Sequence, residues 1–242
     1  MDTFKVPIDD KKFIEFELIR KDVKNINITV RPDFSVMVSA KADIPFTDIE
    51  AFVKNNSSWI TKRLGRYQFT KSENNVEKDY VSGETFKFLG KQYRLSVEDT
   101  TSVERVKLSG AFIKVYVRHK NKKSTKLRLI DEWYRKQAKN EFEASLNRMF
   151  DLMDNLIKTK PNIEFKIMKK RWGSCLRSKN VILLNLELVK APTYCIDYVV
   201  LHELIHFVYK NHDSKFYELL TVLMPDWKNR KEILDQEIVL YV

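Results

Sequence analysis

A chain of 242 residues, 43% apolar and 12% aromatic, can bury a core as one large domain or two smaller ones, which excludes a disordered protein. Five glycines, six prolines and two cysteines exclude a fibrous chain or a disulfide framework. The formal net charge of +11 leaves nucleic acid or acidic proteins open as partners, while the absence of a ~20-residue apolar run or a basic-then-apolar start sets a cytoplasmic, non-membrane protein as the expectation.

Residues 1–118 read mainly as strands. Phe13–Ile19, Ile26–Val30 and Ser35–Ser39 carry the strand pattern, and Pro32-Asp33 supplies a turn. Thr47-Asp48-Ile49-Glu50 has the form of a capping box and opens a helix expected through about Arg66. Its apolar face is Ile49, Phe52, Val53, Ile60 and Leu64. Gly83, Gly90 and Gly110 then punctuate four strands, Thr85–Leu89, Gln92–Val97, Val103–Leu108 and Phe112–Val117, read as hairpins.

Near residue 120 the pattern changes. Ser124 or Thr125 caps a long helix to about Leu156, with a core stripe of Leu127, Ile130, Trp133, Tyr134, Ala138, Phe142, Leu146 and Met149. Strands Ile163–Met168 and Val181–Val189 follow, joined by the basic connection 169–180. Pro192 precedes a helix over Thr193–Tyr209, a second starts at Asp213 or Ser214 and ends before Pro225, and a third covers Lys228–Leu240. The expected architecture is α+β. An N-terminal β-rich domain, residues 1–120, precedes a helix-bearing domain, residues 121–242.

Two stretches concentrate the positive charge. One runs from Lys114 to Lys126 with no acid; the other runs from Lys158 to Lys179 with only Glu164. Each reads as a solvated face, or as a contact for nucleic acid. Arg171 and Arg177 flank Cys175, which could depress its thiol pKa.

The chemistry concentrates in His202-Glu203-Leu204-Ile205-His206, an H-E-x-x-H pattern on the Thr193–Tyr209 helix. Positions four apart share a helix face, so two imidazoles can converge on one metal, and Glu203 can flank it as a general base. Three of the four histidines fall within 202–212, which makes His212 the third ligand, with Asp213 and Glu218 as alternatives. A left-handed Asn211 is expected to turn the chain back. Neutral imidazole suits Zn²⁺, and three ligands leave a position for water. His119, alone among lysines, reads as a surface residue.

Arg171-Trp172-Gly173-Ser174-Cys175, Ile182–Asn185, Ile196–His206 and Asn211–Tyr217 resemble the YgjP-like metallopeptidase family, which is related to SprT-like and other gluzincin-type zincins. The resemblance extends upstream through Ile28–Asp33, Trp59-Ile60, Gly83-Glu84 and Leu89–Lys91. It implies a zincin-like catalytic domain, zinc on His202, His206 and His212, and Glu203 as catalytic base. Tyr217 stands where the common family form has Trp. The expected function is therefore zinc-dependent hydrolysis of peptide bonds in a peptide or protein substrate. The alternative is a nucleic-acid-associated binding protein, or a protease acting on nucleic-acid-bound proteins. Arg171 reads as paired to an acid such as Asp197, with Trp172 buried, or as a group that binds a substrate carboxylate or stabilises an oxyanion, for which Tyr198 and Tyr209 are further candidates. Substrate is expected to pair with the strand Val181–Val189.

Overall fold

The computed structural model describes residues 2–9, 12–31, 33–74, 78–153, 156–169 and 171–237. Among these residues the chain forms three small sheets and six α-helices, a mixed α+β architecture. They gather into two compact units, residues 2–74 and 78–237.

The first unit opens with β1 (Asp2–Asp9) and β2 (Lys12–Arg20), an antiparallel pair. β3 (Asn27–Val30) and β4 (Val36–Ala40) form a second pair, and β2 runs parallel to β4, giving the order β1-β2-β4-β3. Strand alternation sends Val6, Ile14, Phe16 and Val38 into the core. Pro32 of the expected turn lies outside the described residues; Asp33 closes the turn by accepting hydrogen bonds from the Ser35 N–H and hydroxyl.

The single helix expected from Thr47 is two helices, α1 (Phe46–Asn55) and α2 (Ser57–Asn74). Pro45 precedes the first, with no side-chain capping bond, so the Thr47 box goes unused. The break falls at Asn56, whose side-chain amide donates to the Phe52 carbonyl at 2.8 Å. An asparagine that bonds its own helix backbone competes with the ladder at that point. Ile49, Val53 and Ile60 are fully buried as expected, whereas Phe52 sits at the surface.

The second unit begins with β5 (Thr85–Phe88), β6 (Lys91–Asp99), β7 (Arg105–Ser109) and β8 (Phe112–Val117), ordered β5-β6-β8-β7. The hairpins β5–β6 and β7–β8 are antiparallel, and β6 and β8 run parallel. Ile113, Val115 and Val117 point to one core with Ile130, Trp133 and Phe142 of α3 (Lys123–Asp151). The strand-to-helix change near residue 120 thus lies inside this unit, because the β5–β8 sheet buries its apolar face with α3. The expected stripe of α3 is buried apart from Leu127; the helix ends at Asp151, five residues before the expected stop.

A third sheet follows, formed by β9 (Asn162–Lys166), β10 (Gly173–Leu176) and β11 (Val181–Asn185). β10 lies within the stretch that reads as a basic connection. It pairs antiparallel with β11, which pairs parallel with β9, so β11 is central. A strand bonded on both sides cannot accept a third partner, and the expected docking of substrate on Val181–Val189 is ruled out. Leu186–Lys190 is a 3-10 turn rather than strand.

The last part of the unit is helical: α4 (Thr193–Ile205), α5 (Ser214–Leu223) and α6 (Trp227–Glu237). The third helix was expected to reach Leu240, but residues 238–240 lie outside the described residues. α4 is apolar nearly all round; Ile196, Val200, Leu201, Leu204 and Ile205 are fully buried. Such a helix belongs in the interior. Its start is fixed by the β5–β6 turn, where Leu89 and Gly90 both take positive φ, as a two-residue hairpin requires. The Leu89 and Gly90 N–H groups donate to the Val189 and Lys190 carbonyls, and a Cβ on Gly90 would stand 2.7 Å from Pro192 Cγ. No described helix is long and apolar enough to cross a membrane.

α4 is tied to α3 through Asp197, whose carboxylate accepts from the Ser145 hydroxyl at 2.6 Å and from Arg148 at 2.7 Å. Asp197→Ala strands the fully buried Ser145 hydroxyl and unpairs Arg148, a loss of about 2–3 kcal/mol. Urea denaturation followed by tryptophan fluorescence measures it, since Trp133, Trp172 and Trp227 all report on this unit. A loss below about 0.5 kcal/mol, the scale of an ordinary surface change, would mean the anchor contributes nothing.

Candidate metal centre

His202 lies in the last turn of α4, and His206 is its C-cap. The helix stops at Ile205, four residues before the expected end. It is closed by Phe207 and Val208 N–H groups donating to the Leu204 and Ile205 carbonyls, each at 2.9 Å. Asn211 does not take a left-handed φ. Instead the Arg177 guanidinium donates to the His206 carbonyl, and His206 Nδ1 lies 3.1 Å from the Tyr209 carbonyl. A carbonyl only accepts, so Nδ1 carries the proton, which leaves Nε2 as the nitrogen that could ligate.

The turn brings His212 back to the two helical histidines. Ring centroids stand 5.0 Å apart for His202 and His206, 4.8 Å for His202 and His212, and 4.6 Å for His206 and His212. One nitrogen from each ring lies within 4.8 Å of the others, and Nε2 of His202 and Nε2 of His212 are 2.9 Å apart. Two nitrogens at ~2.05 Å from one tetrahedral ion stand about 3.3 Å apart, so the triad suits a shared metal. Asp213, the alternative third ligand, is occupied as the N-cap of α5, accepting from the Phe216 N–H at 3.1 Å. Glu218 is not part of the cluster.

The protonation states fit a metal as well. Burial, followed by the charges of His206, His212 and Lys231, pushes His202 down to about 3. Burial and His206 also lower His212. Both rings are therefore neutral at pH 7, the form that ligates. His202 Nδ1 is the one buried side-chain nitrogen or oxygen without a partner among the described residues. A cost of that kind is tolerated where the ring serves a purpose other than packing.

Phe216 forms the floor of the triad. Its fully buried ring has its centroid 4.9, 4.8 and 4.7 Å from those of His202, His206 and His212. Sequence reasoning gave it no role, although the Asp213 cap three residues earlier fixes its place on α5. Trp227 stacks on Tyr198 and Tyr217 beside the triad, and Tyr217 stacks on His212.

Glu203 points to the third sheet. It is 6% exposed, and a Cβ added to Gly173 would fall 2.7 Å from its Oε1. Burial raises its carboxyl to about 7 against the Arg171 charge and the Cys175 N–H, which favour ionisation. A dication on the neighbouring imidazoles would favour the ionised form further. The loop before β10 is pinned by Asn185, fully buried at the end of β11. Its amide donates to the Met168 and Arg171 carbonyls and accepts from the Met168 and Glu187 N–H groups. A cavity of about 840 Å³ is lined by Arg171–Ser178, the three histidines, Glu203, Tyr198 and parts of α6.

The family model for the YgjP-like metallopeptidase domain matches residues 24–237. The chain belongs to this family. No curated protein matches it at a significant level. Among solved structures, the jannalysin metallopeptidase zymogen of Methanocaldococcus jannaschii is similar at 28% identity and TM-score 0.35, covering 40% of this chain and 91% of that one. The abylysin metallopeptidase zymogen of Pyrococcus abyssi is similar at 17% identity and TM-score 0.37, covering 42% of this chain and 99% of that one.

Other residues singled out in this YgjP-like domain fare differently. Arg171 is not the partner of Asp197, which Arg148 and Ser145 occupy; it is exposed, 3.4 Å from the Ser174 hydroxyl. Trp172 is half-buried, and His119 is exposed. Tyr209 meets the site through its carbonyl. Cys175 departs most from expectation. Burial and then the Glu203 charge push its thiol up to about 11, outweighing Arg177.

At pH 8 Cys175 should therefore react with iodoacetamide roughly 100-fold more slowly than a small free thiol, since only the thiolate attacks. Cys195 is fully buried and contributes nothing until the protein unfolds. Mass-spectrometric counting of alkylated cysteines over time, against a glutathione control, measures the rate. A rate within threefold of glutathione would restore the arginine-activated thiol.

Proposed function

We propose that the protein is a zinc-dependent metallopeptidase that hydrolyses peptide bonds in a zincin-like catalytic domain. The carrying observation is the three-histidine cluster with a buried glutamate beside it, in a member of the YgjP-like metallopeptidase family. His202, His206 and His212 would hold the ion through ring nitrogens, a donor set suited to Zn²⁺. The ion, when bound, supplies Lewis acidity, polarising the scissile carbonyl and making water acidic.

Glu203 is the general base. It takes a proton from the attacking water and returns it to the leaving amine. Gly173 leaves its carboxylate room, and the Cys175 N–H orients it. The substrate backbone is placed along β10, the edge strand of the third sheet, rather than along β11. Every residue given a role lies within 121–242, the proposed catalytic domain. Tyr198 and Arg171 line the cavity and remain the candidates for the developing oxyanion. Cys175 and Cys195 form no disulfide, which fits the reducing cytoplasm.

Elemental analysis should find about one zinc per chain in protein refolded with zinc, and His206→Ala should lose it. A protein without stoichiometric metal would sink the reading.

Glu203→Gln preserves size but removes the base. Zinc should stay bound while hydrolysis of library-selected peptides falls by at least ~10²–10⁴-fold. Zinc-dependent cleavage at near-wild-type rate in this variant would take the base role from Glu203.

A further inference from the structure

The two basic stretches of the sequence have different fates in the fold. In the first, Lys114, Lys120 and Lys123 are each paired with an acid: Glu98 at 3.0 Å, Asp99 at 2.9 Å and Asp79 at 3.0 Å. Half of that stretch's cations are thus offset locally, while Arg118 and Lys122 stand exposed on the outer face. In the second, Arg171 and Arg177 line the cavity that holds the histidine cluster, and Lys210 joins them from the turn after α4.

None of these three cations has an ion-pair partner among the described residues. Arg171 lies 3.4 Å from the Ser174 hydroxyl and its charge acts on buried Glu203, while Arg177 donates to the His206 carbonyl and to the Cys175 sulfur. The cavity's fourth cation, Lys231, is paired with Asp235 at 2.7 Å. The remaining acid, Glu203, is buried. A cleft with positive charge on low-dielectric walls focuses its field on whatever enters. Arg171 and Arg177 also bracket β10 in sequence, two residues before it and one after. A peptide extended along that edge passes both.

We propose that Arg171, Arg177 and Lys210 form a carboxylate-binding subsite in the cleft, so that the protein selects peptides with carboxylates flanking the scissile bond. The proposal rests on the peptidase reading of the site. Guanidinium groups bind carboxylates by paired, charge-assisted hydrogen bonds, and an ammonium adds a point charge. The carboxylate can come from an Asp or Glu side chain or from a chain terminus. A peptide carboxylate is the occupant proposed, because these three cations line the same cavity as the histidine cluster and Glu203.

The test uses the zinc-loaded full chain and internally quenched peptides that differ only in carrying Glu, Gln or Lys around the cleaved bond. Each is made with a C-terminal amide and with a free acid. Glu peptides should exceed Lys peptides in kcat/KM by at least ~10-fold at low salt, and the ratio should shrink as salt rises. A gain on amidated peptides assigns the subsite to side chains, and a gain confined to free acids assigns it to the terminus; either supports the proposal. R171Q/K210Q should bring the ratio to within about twofold of unity, a within-variant comparison that cancels any general loss of rate. Equal rates for Glu and Lys peptides, or a ratio unmoved in the double variant, would overturn it.

Binding of the same peptides to zinc-loaded Glu203→Gln, read by fluorescence anisotropy, separates this proposal from the peptidase reading. Absence of all hydrolysis would end that reading, while the Glu-over-Lys affinity ratio would still decide the subsite. Single-stranded oligonucleotide binding with no peptide charge preference would overturn the subsite in favour of nucleic acid.

Discussion

The Glu203 carboxylate rests against the backbone of Gly173, with no room for even a methyl group between them. That contact joins the two elements on which the site depends. Glu203 belongs to α4, and its direction is set by a helix buried nearly all round. Gly173 begins β10, and its position is set by a loop with little packing of its own. Asn185 supplies what the loop lacks. By filling both donor and both acceptor positions of its amide with backbone groups, it makes Met168 and Arg171 follow β11. Because the tolerance at Gly173 is a fraction of an ångström, a shift of the loop is a shift of the proposed base.

Burial accounts for most of the chemistry that the fold prepares. α4 carries its ionisable residues on a dry face, so ionised imidazolium is disfavoured at His202 and ionised carboxylate at Glu203. Left alone, this arrangement costs free energy, as the unpartnered His202 Nδ1 illustrates. Neutral nitrogens facing one another across a few ångströms recover that cost when they share a cation. Phe216 keeps them facing. A ring against all three imidazoles limits their rotation without offering a competing hydrogen bond, and the Asp213 cap holds that ring in place. The stack of Tyr217 and Trp227 extends the support to α5 and α6.

The sequence made α4 and its histidines legible because the relevant information is local. Four-residue spacing on a helix fixes a shared face, and three clustered histidines fix a neighbourhood. The strands of both β-rich stretches were legible for the same reason, through alternation. What escaped was set by partners distant in the chain. β10 has no alternating pattern; Gly173–Leu176 becomes a strand because β11 bonds it, and that pairing also closed β11 to substrate. The split at Asn56 came from a side chain competing with its own helix, which a capping-box reading at Thr47 does not anticipate. Cys175 was misjudged because the neighbouring arginines are visible in the sequence, whereas the burial and the Glu203 charge that outweigh Arg177 are set by the fold. His206 as a C-cap, rather than a mid-helix residue, depended on Arg177 and Tyr209 satisfying the end of the helix.

Charge follows the same division between local and distant. A run of lysines says only that cations are abundant; which of them matter depends on where acids fall in the fold. Ion pairs at the surface contribute little stability, but they do flatten the local field. Lys114, Lys120 and Lys123 are flattened in this way. Arg171, Arg177 and Lys210 have no ion-pair partner among the described residues, and they share a cavity with the three imidazoles, of which burial keeps His202 and His212 neutral at neutral pH. Any dication in the triad would add to their field rather than offset it. An anionic group is the ligand chemistry that relieves the excess, and a peptide can bring one without displacing Glu203 from its contact with Gly173. The same residues that hold the proposed base in place thus leave the surrounding cations free for the substrate.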